Sequence, residues 1–495
     1  MTQTAYEQLE KRFRRISVIG NVNELLDWDR AVMMPLGASN QRGEEVSEMA
    51  ALGHELLSDS AVGELLDAAD EQSANLDQWQ QANLRQMRSR FIEATAVPSD
   101  LVAAKAKMSN DLEARWRGAR AESDFSQVQK PLGELVALTR QEAEAVGEAK
   151  GQAAYDALMG LYSPGQTKAE VDPLFDDYAA FLPVFLGRVL ERQAQRPALT
   201  DFDGALDIDA QKQLAAMVLG QLGFDFERGR LDASEHPFCS GTRDDVRMTG
   251  RYREDELGLM APIHECGHAM YEKQLPADWA FQPVGANLGM AIHESQSLLL
   301  ELQVGRSPAF VRYLSGLLPQ YLGEQAAFEN QALLRRLNHV EPSFIRVEAD
   351  EVTYPAHVIL RYRLEQALLS GDLSVADLPG AWNQGMQDLL GITPPNDTLG
   401  VLQDIHWYAG LMGYFPSYSL GAMIAAQFFE AAEAAMPDIH SDFERGDFTR
   451  LQAWLAANIH GQGCLLTAPQ LIKQVTGKPL DIGIFKQHLE NRYLN

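Results

Sequence analysis

Apolar residues recur every three or four positions through most of this chain, which is the spacing of helices that bury one side. In the segment read as opening with Pro131 in its first turn, Leu132, Leu135, Val136 and Thr139 share one stripe. Gly305 ends one such segment, and Ser307 with Pro308 begins the next. Similar segments fill the chain up to about residue 230 and again after about residue 290, so a mainly α protein is predicted. Two stretches break the pattern. Residues 230–252 are rich in turn formers, and FIRVEADEVTYP, from Phe344 to Pro355, alternates like a short strand pair. A small β-sheet beside a large helical body is therefore expected. No Gly/Ser/Pro-rich linker interrupts the sequence, so residues 1–495 are expected to form one unit, two helical halves flanking a deep substrate cleft.

Charge narrows the partners. With 42 Lys and Arg against 69 Asp and Glu, the net charge of −27 opposes nucleic acid, whose phosphates are bound by clustered cations. No stretch runs to about 20 apolar residues, so no membrane span is expected, and the first residues do not read as a secretory signal. Cys239, Cys266 and Cys464 are odd in number and lack metal-site spacing, the usage of a reducing compartment, so a cytoplasmic location is expected. Any bound metal must then be held by other residue types.

His264-Glu265-Cys266-Gly267-His268 supplies them. Two histidines four apart on a helix lie on one face, one turn apart, where they can share a tetrahedral ion, while Glu265 is offset towards water at that ion. Ile263, Ala269 and Met270 make this helix too apolar for a solvated face. A catalytic zinc needs a third protein ligand and an open position. Glu294, in the HESQ segment that starts the helix read over Ile292–Val304, is the candidate, with His293 the alternative. An ion held this way polarises a carbonyl and activates water, and Glu265 is placed to take the proton and return it to a leaving amine. His406, Tyr414 and Tyr418 are candidate donors for the oxygen that gains charge. Asp350 or Asp404 is a candidate partner for the histidines' second nitrogens. Cys266 reads as a small packing residue. Zinc is the expected ion, one per chain, with cobalt or manganese able to substitute.

Six segments then carry a resemblance: His236-Pro237-Phe238, Asp245 to Thr249 (DVRMT), HECGH, HESQ, Ile345 to Asp350 (IRVEAD) and Gly400 to Trp407 (GVLQDIHW). In these and in their order the chain resembles the carboxypeptidase Taq family of zinc metallocarboxypeptidases. The resemblance implies a helical, cleft-bearing fold like those of neurolysin and angiotensin-converting enzyme, a homodimer, and removal of single residues from peptide C-termini with broad preference. It also implies a substrate-side role for His236. Recognition of a free carboxylate calls for a guanidinium, and Arg346 is favoured over Arg247 for it. A zinc oligopeptidase or dipeptidyl carboxypeptidase is the alternative activity.

Overall fold

The computed structural model describes residues 3–495, and among them twenty α-helices surround one three-stranded sheet. The helices start and stop where local chemistry directs. Thr4 and Glu7 exchange hydrogen bonds in a capping box ahead of the helix Ala5–Val32. The Ser307 hydroxyl accepts from the Phe310 amide at 3.2 Å, with Pro308 in the first turn that follows. Pro131 departs from the expectation. It is the sixth residue of the helix Ser126–Lys150, whose start Asp124 fixes by accepting from the Ser126 amide. The stripe that follows Pro131 is buried as read.

Residues 230–252 do form the sheet. Strands β1 (Gly229–Ala233), β2 (Cys239–Thr242) and β3 (Asp245–Gly250) lie in the order β1-β3-β2, with β1 parallel and β2 antiparallel to β3. Gly241, at φ +105°, makes the tight return between β2 and β3. A Cβ there would lie 2.1 Å from the Asp245 carbonyl oxygen.

Phe344–Pro355 is not a strand pair. Arg346–Glu348 is a turn of 3-10 helix, and the helix Tyr354–Ser370 follows. The hydrogen bonds a partner strand would have made come instead from one side chain. Gln403 accepts from the Arg346 amide at 2.9 Å and donates to the Phe344 carbonyl at 2.9 Å. Asp350 closes the turn by accepting from the amides of Val352 and Thr353.

One large apolar core runs through the body, and a second, smaller one joins Tyr6, Leu9, Phe13, Val62, Leu66, Leu84 and Met87 among the first helices. Within the large core three helices press together: Met260–Gln274, Met290–Leu298 and Pro416–Ala435. Glycine permits the approach on both sides. A Cβ on Gly267 would lie 2.3 Å from the Gln296 carbonyl oxygen, and one on Gly421 would lie 2.7 Å from Cγ of Glu294. Helix Met290–Leu298 passes without a break into a wider π-helical stretch, Leu299–Gly305.

Candidate active site

His264 and His268 stand one turn apart on the helix Met260–Gln274, and the squeezed helix brings Glu294 against them. Oε2 of Glu294 lies 3.9 Å from Nε2 of His264 and 3.5 Å from Nε2 of His268. One donor atom from each of the three residues falls within 4.8 Å of the others, a separation that a single ion can bridge. The far side of each ring is already answered. Nδ1 of His264 meets Oε2 of Glu301 at 3.0 Å, and Nδ1 of His268 meets the His293 carbonyl oxygen at 3.1 Å. With an acceptor at each Nδ1, a ring in its neutral form carries its proton there and turns its Nε2 lone pair inward, as a metal ligand requires; the carboxylates around His264 hold its pKa up against burial, to about 10, a charge that a bound cation would displace. The donor set of two imidazoles and a carboxylate therefore fits a divalent ion such as zinc.

The backing groups are not those expected from sequence. Asp350 is spent on its own turn and Asp404 on two arginines, whereas Glu301 and a carbonyl stand behind the histidines. Glu301 is held in turn by Nη2 of Arg306 at 2.6 Å. Against the upward push of burial, Arg306 and His264 keep the Glu301 carboxyl down at about 2. His293, the alternative ligand, turns its ring away. Its Nε2 lies 2.9 Å from Glu272, and the ring stacks on His268 at 4.4 Å between centroids. Glu265 is buried beside the histidines, and burial raises its carboxyl to about 7. A group so tuned can both accept and release a proton near neutrality. Cys266 faces the core, fully buried, and burial lifts its thiol to about 12, in keeping with packing rather than ligation.

A second charged cluster is built on Asp404. Its carboxylate receives Nη2 of Arg346 at 2.8 Å and Nε of Arg361 at 2.7 Å, and Nη1 of Arg346 donates to the Tyr354 hydroxyl at 2.6 Å. Against burial, the two guanidiniums hold Asp404 well below the usual carboxylate range. Two cations share one hydrogen-bonded carboxylate in a space nearly closed to water, and the buried Glu365 acts on Arg361 from further off.

The aromatic donors join the two clusters. Nε2 of His406 lies 3.3 Å from the Tyr418 hydroxyl, and the Arg346 guanidinium lies 4.9 Å from the Tyr418 ring centroid. Burial, then the neighbouring Arg346, lowers His406 to about 4, so the ring is neutral at physiological pH. Tyr414 packs edge-on to Tyr418 at 5.2 Å, and the charge of Glu294 acts on both phenols.

Arg247 and His236 are held by contacts of their own. Arg247, on β3, grips Asp245 through Nε at 2.8 Å and Nη2 at 2.9 Å. It also lies over Trp28, 4.3 Å from the ring centroid, in a groove lined by the first helix and β2. His236 is exposed in the β1–β2 loop, where its carbonyl accepts from the Ser234 hydroxyl at 2.7 Å. Sequence reasoning missed Glu301, Arg361, Gly267 and Gly421. Glu301 alone left a trace, standing two helical turns after Glu294.

Comparison with known proteins bears on this arrangement. A family model described as carboxypeptidase Taq (M32) metallopeptidase matches residues 8–493. The chain is 35% identical to thermostable carboxypeptidase 1 of Thermus thermophilus, over 99% of this chain and 98% of that relative. Among solved structures it is similar to metallocarboxypeptidase 1 of Trypanosoma cruzi, with a TM-score of 0.98, 35% identity and 99% of each chain covered. It is also similar to an M32 carboxypeptidase of Deinococcus radiodurans R1, with a TM-score of 0.94, 35% identity and 99% of each chain covered.

Proposed function

The chain belongs to the carboxypeptidase Taq (M32) metallopeptidase family, and from that premise we propose that it is a zinc-dependent carboxypeptidase which removes single residues from peptide C-termini with broad preference. The observation that carries the reading is the pairing of an ion-ready His264, His268 and Glu294 with a buried, over-positive arginine cluster that fits a terminal carboxylate.

His264, His268 and Glu294 hold the ion, and zinc in that position supplies Lewis-acid polarisation of the scissile carbonyl and activation of water. Glu265 accepts one proton on a carboxylate oxygen as the water oxygen bonds to the carbonyl carbon. It delivers that proton to the amide nitrogen as the C–N bond breaks, leaving a shortened peptide and one amino acid. Glu301 and the His293 carbonyl keep the two imidazoles turned inward throughout. Tyr418, with Tyr414 and His406 beside it, donates to the carbonyl oxygen as it gains charge.

Arg346 binds the substrate's terminal carboxylate, and Asp404 and Arg361 fix its direction and leave it with charge to spare. His236 and Arg247 contact the substrate further from the scissile bond, His236 from the exposed β1–β2 loop. The deep cleft between two helical halves admits peptides and keeps folded proteins out. We place the enzyme in the cytoplasm as a homodimer; the three free cysteines support the location.

The test is product length from an N-blocked peptide, by mass spectrometry, for zinc-loaded wild type and Glu265→Gln. The reading expects single amino acids from the wild type, and from the variant an intact zinc content with no release. Dipeptides or internal fragments would make it a dipeptidyl carboxypeptidase or an oligopeptidase instead.

A further inference from the structure

A cavity of about 690 Å³ lies apart from the residues assigned above to substrate. Its walls come from the end of the helix Lys168–Ala194, the helices Asn330–Leu337 and Pro416–Ala435, and the last helix, Ile482–Leu494. In a chain of net charge −27 this wall carries four arginines, Arg196, Arg306, Arg335 and Arg492. Two are answered by buried carboxylates. Arg306 pairs with Glu301 at 2.6 Å and Arg492 with Glu351 at 2.8 Å. The acids of the wall have partners of their own: Glu433 lies 2.7 Å from His440, also in the wall, and Glu430 lies 3.9 Å from Lys478.

Arg196 and Arg335 are different. Among the described residues neither has an ion-pair partner, and the charges acting on Arg196 are those of Arg192 and Arg335, like it in sign. Nε of Arg335 and Nε of Arg306 are buried without an acceptor in the chain. Clustered guanidiniums repel one another, so an arrangement of this kind is stabilised by an anion that bridges it. The amides of Gln303, Asn338 and Gln487 in the lining are already engaged, with His488, with the carbonyls of Arg306 and Leu334, and with Asn491, so the guanidiniums are the groups left for a ligand.

We propose that this cavity is a binding site for a compact multivalent oxyanion, a phosphate or a small dicarboxylate, gripped between Arg196 and Arg335 with Arg306 at its base. Arg306 also holds Glu301, the carboxylate behind His264, so the site touches the backing of the metal centre without opening into it. Binding here is independent of the peptidase reading.

Isothermal titration of the zinc-loaded protein with inorganic phosphate, sulfate and succinate, at constant ionic strength set with sodium chloride, tests the proposal. Saturable binding of at least one, at roughly 1 mM or tighter, is expected, and Arg196→Gln with Arg335→Gln should weaken it about tenfold or more. Which of the three binds separates the phosphate from the carboxylate form of the ligand. Because Arg196 is exposed, Arg196→Gln alone preserves the fold and should weaken binding in the same direction. Absence of saturable heat for all three, or equal affinity in wild type and variants, overturns the site.

Discussion

The metal end and the arginine end of the site are buried to a similar degree and carry opposite surpluses. At the metal end Glu265, Glu294 and Glu301 face one guanidinium, Arg306, around two imidazoles turned to offer lone pairs. Glu294 and Glu301 outnumber the one guanidinium, and Glu265, raised to about 7, adds charge only in part, so the surplus here is negative, of the sign that a cation neutralises. At the arginine end Arg346 and Arg361 share Asp404, and the buried Glu365, raised to about 7, also acts on Arg361, so the surplus is positive but less than one full charge. Buried charge is costly unless paired, and the proposed function pairs one end with a metal and the other with a substrate's terminal carboxylate.

If this division of labour holds, changes at one end should move one set of observables and leave the other in place. The largest effect belongs to Glu265→Gln, expected to cut kcat by roughly 10²–10⁴ with zinc content unchanged by elemental analysis. Retained turnover would remove Glu265 from the chemistry.

Next comes Arg346→Met, expected to lower kcat/KM for free-acid peptides by roughly a hundredfold or more while zinc affinity stays as in wild type. A variant that loses zinc instead would break the separation of the two ends.

Smaller, and opposite in character, are Glu301→Gln and Gly421→Ala. The first removes the carboxylate behind His264, and the second pushes a methyl into the Glu294 side chain. Each should weaken zinc by roughly 10–100-fold in chelator competition, with discrimination between acid and amide substrates preserved.

The smallest effect is on stability. Glu365 lies under the arginine end, where Tyr155, Trp407 and the Gly413 amide donate to it, yet burial still raises it from the ordinary carboxyl value of about 4.5 to about 7. A raised acid favours the folded state while protonated. Its contribution is complete below about pH 4.5 and fades as pH rises through about 7. Denaturant unfolding across that window should show stability falling with pH by at most about 1.4 kcal/mol per unit from this group, and Glu365→Gln should flatten the fall. An unchanged slope would show that Glu365 does not titrate there.

The two ends also differ in how far sequence reveals them. The metal end is local. Histidines four apart face one side of a helix by geometry alone, and the apolar neighbours mark that helix as buried. What escapes is tertiary: Gly267 and Gly421 read as ordinary helix glycines until the packing on Glu294 is seen, and Glu301 gains its role through the π-helical stretch. The arginine end is assembled from segments far apart in the chain. Arg361 stands on a helix buried on nearly every side, where an arginine among apolar residues does not name the distant acid it pairs with. Phe344–Pro355 has the alternation of a strand, but a glutamine from residue 403 satisfies it, so the pattern gave the wrong element there. Pro131 was likewise placed a turn too early, because a proline tolerated inside a helix looks the same in sequence as one that starts it.

The measurement closest to the centre of this account compares release from an N-blocked peptide and its C-terminal amide by zinc-loaded wild type and Arg346→Met. Wild type should cut the acid far faster than the amide, and the variant should lose most of that preference. Equal cutting of acid and amide by the wild type would contradict it.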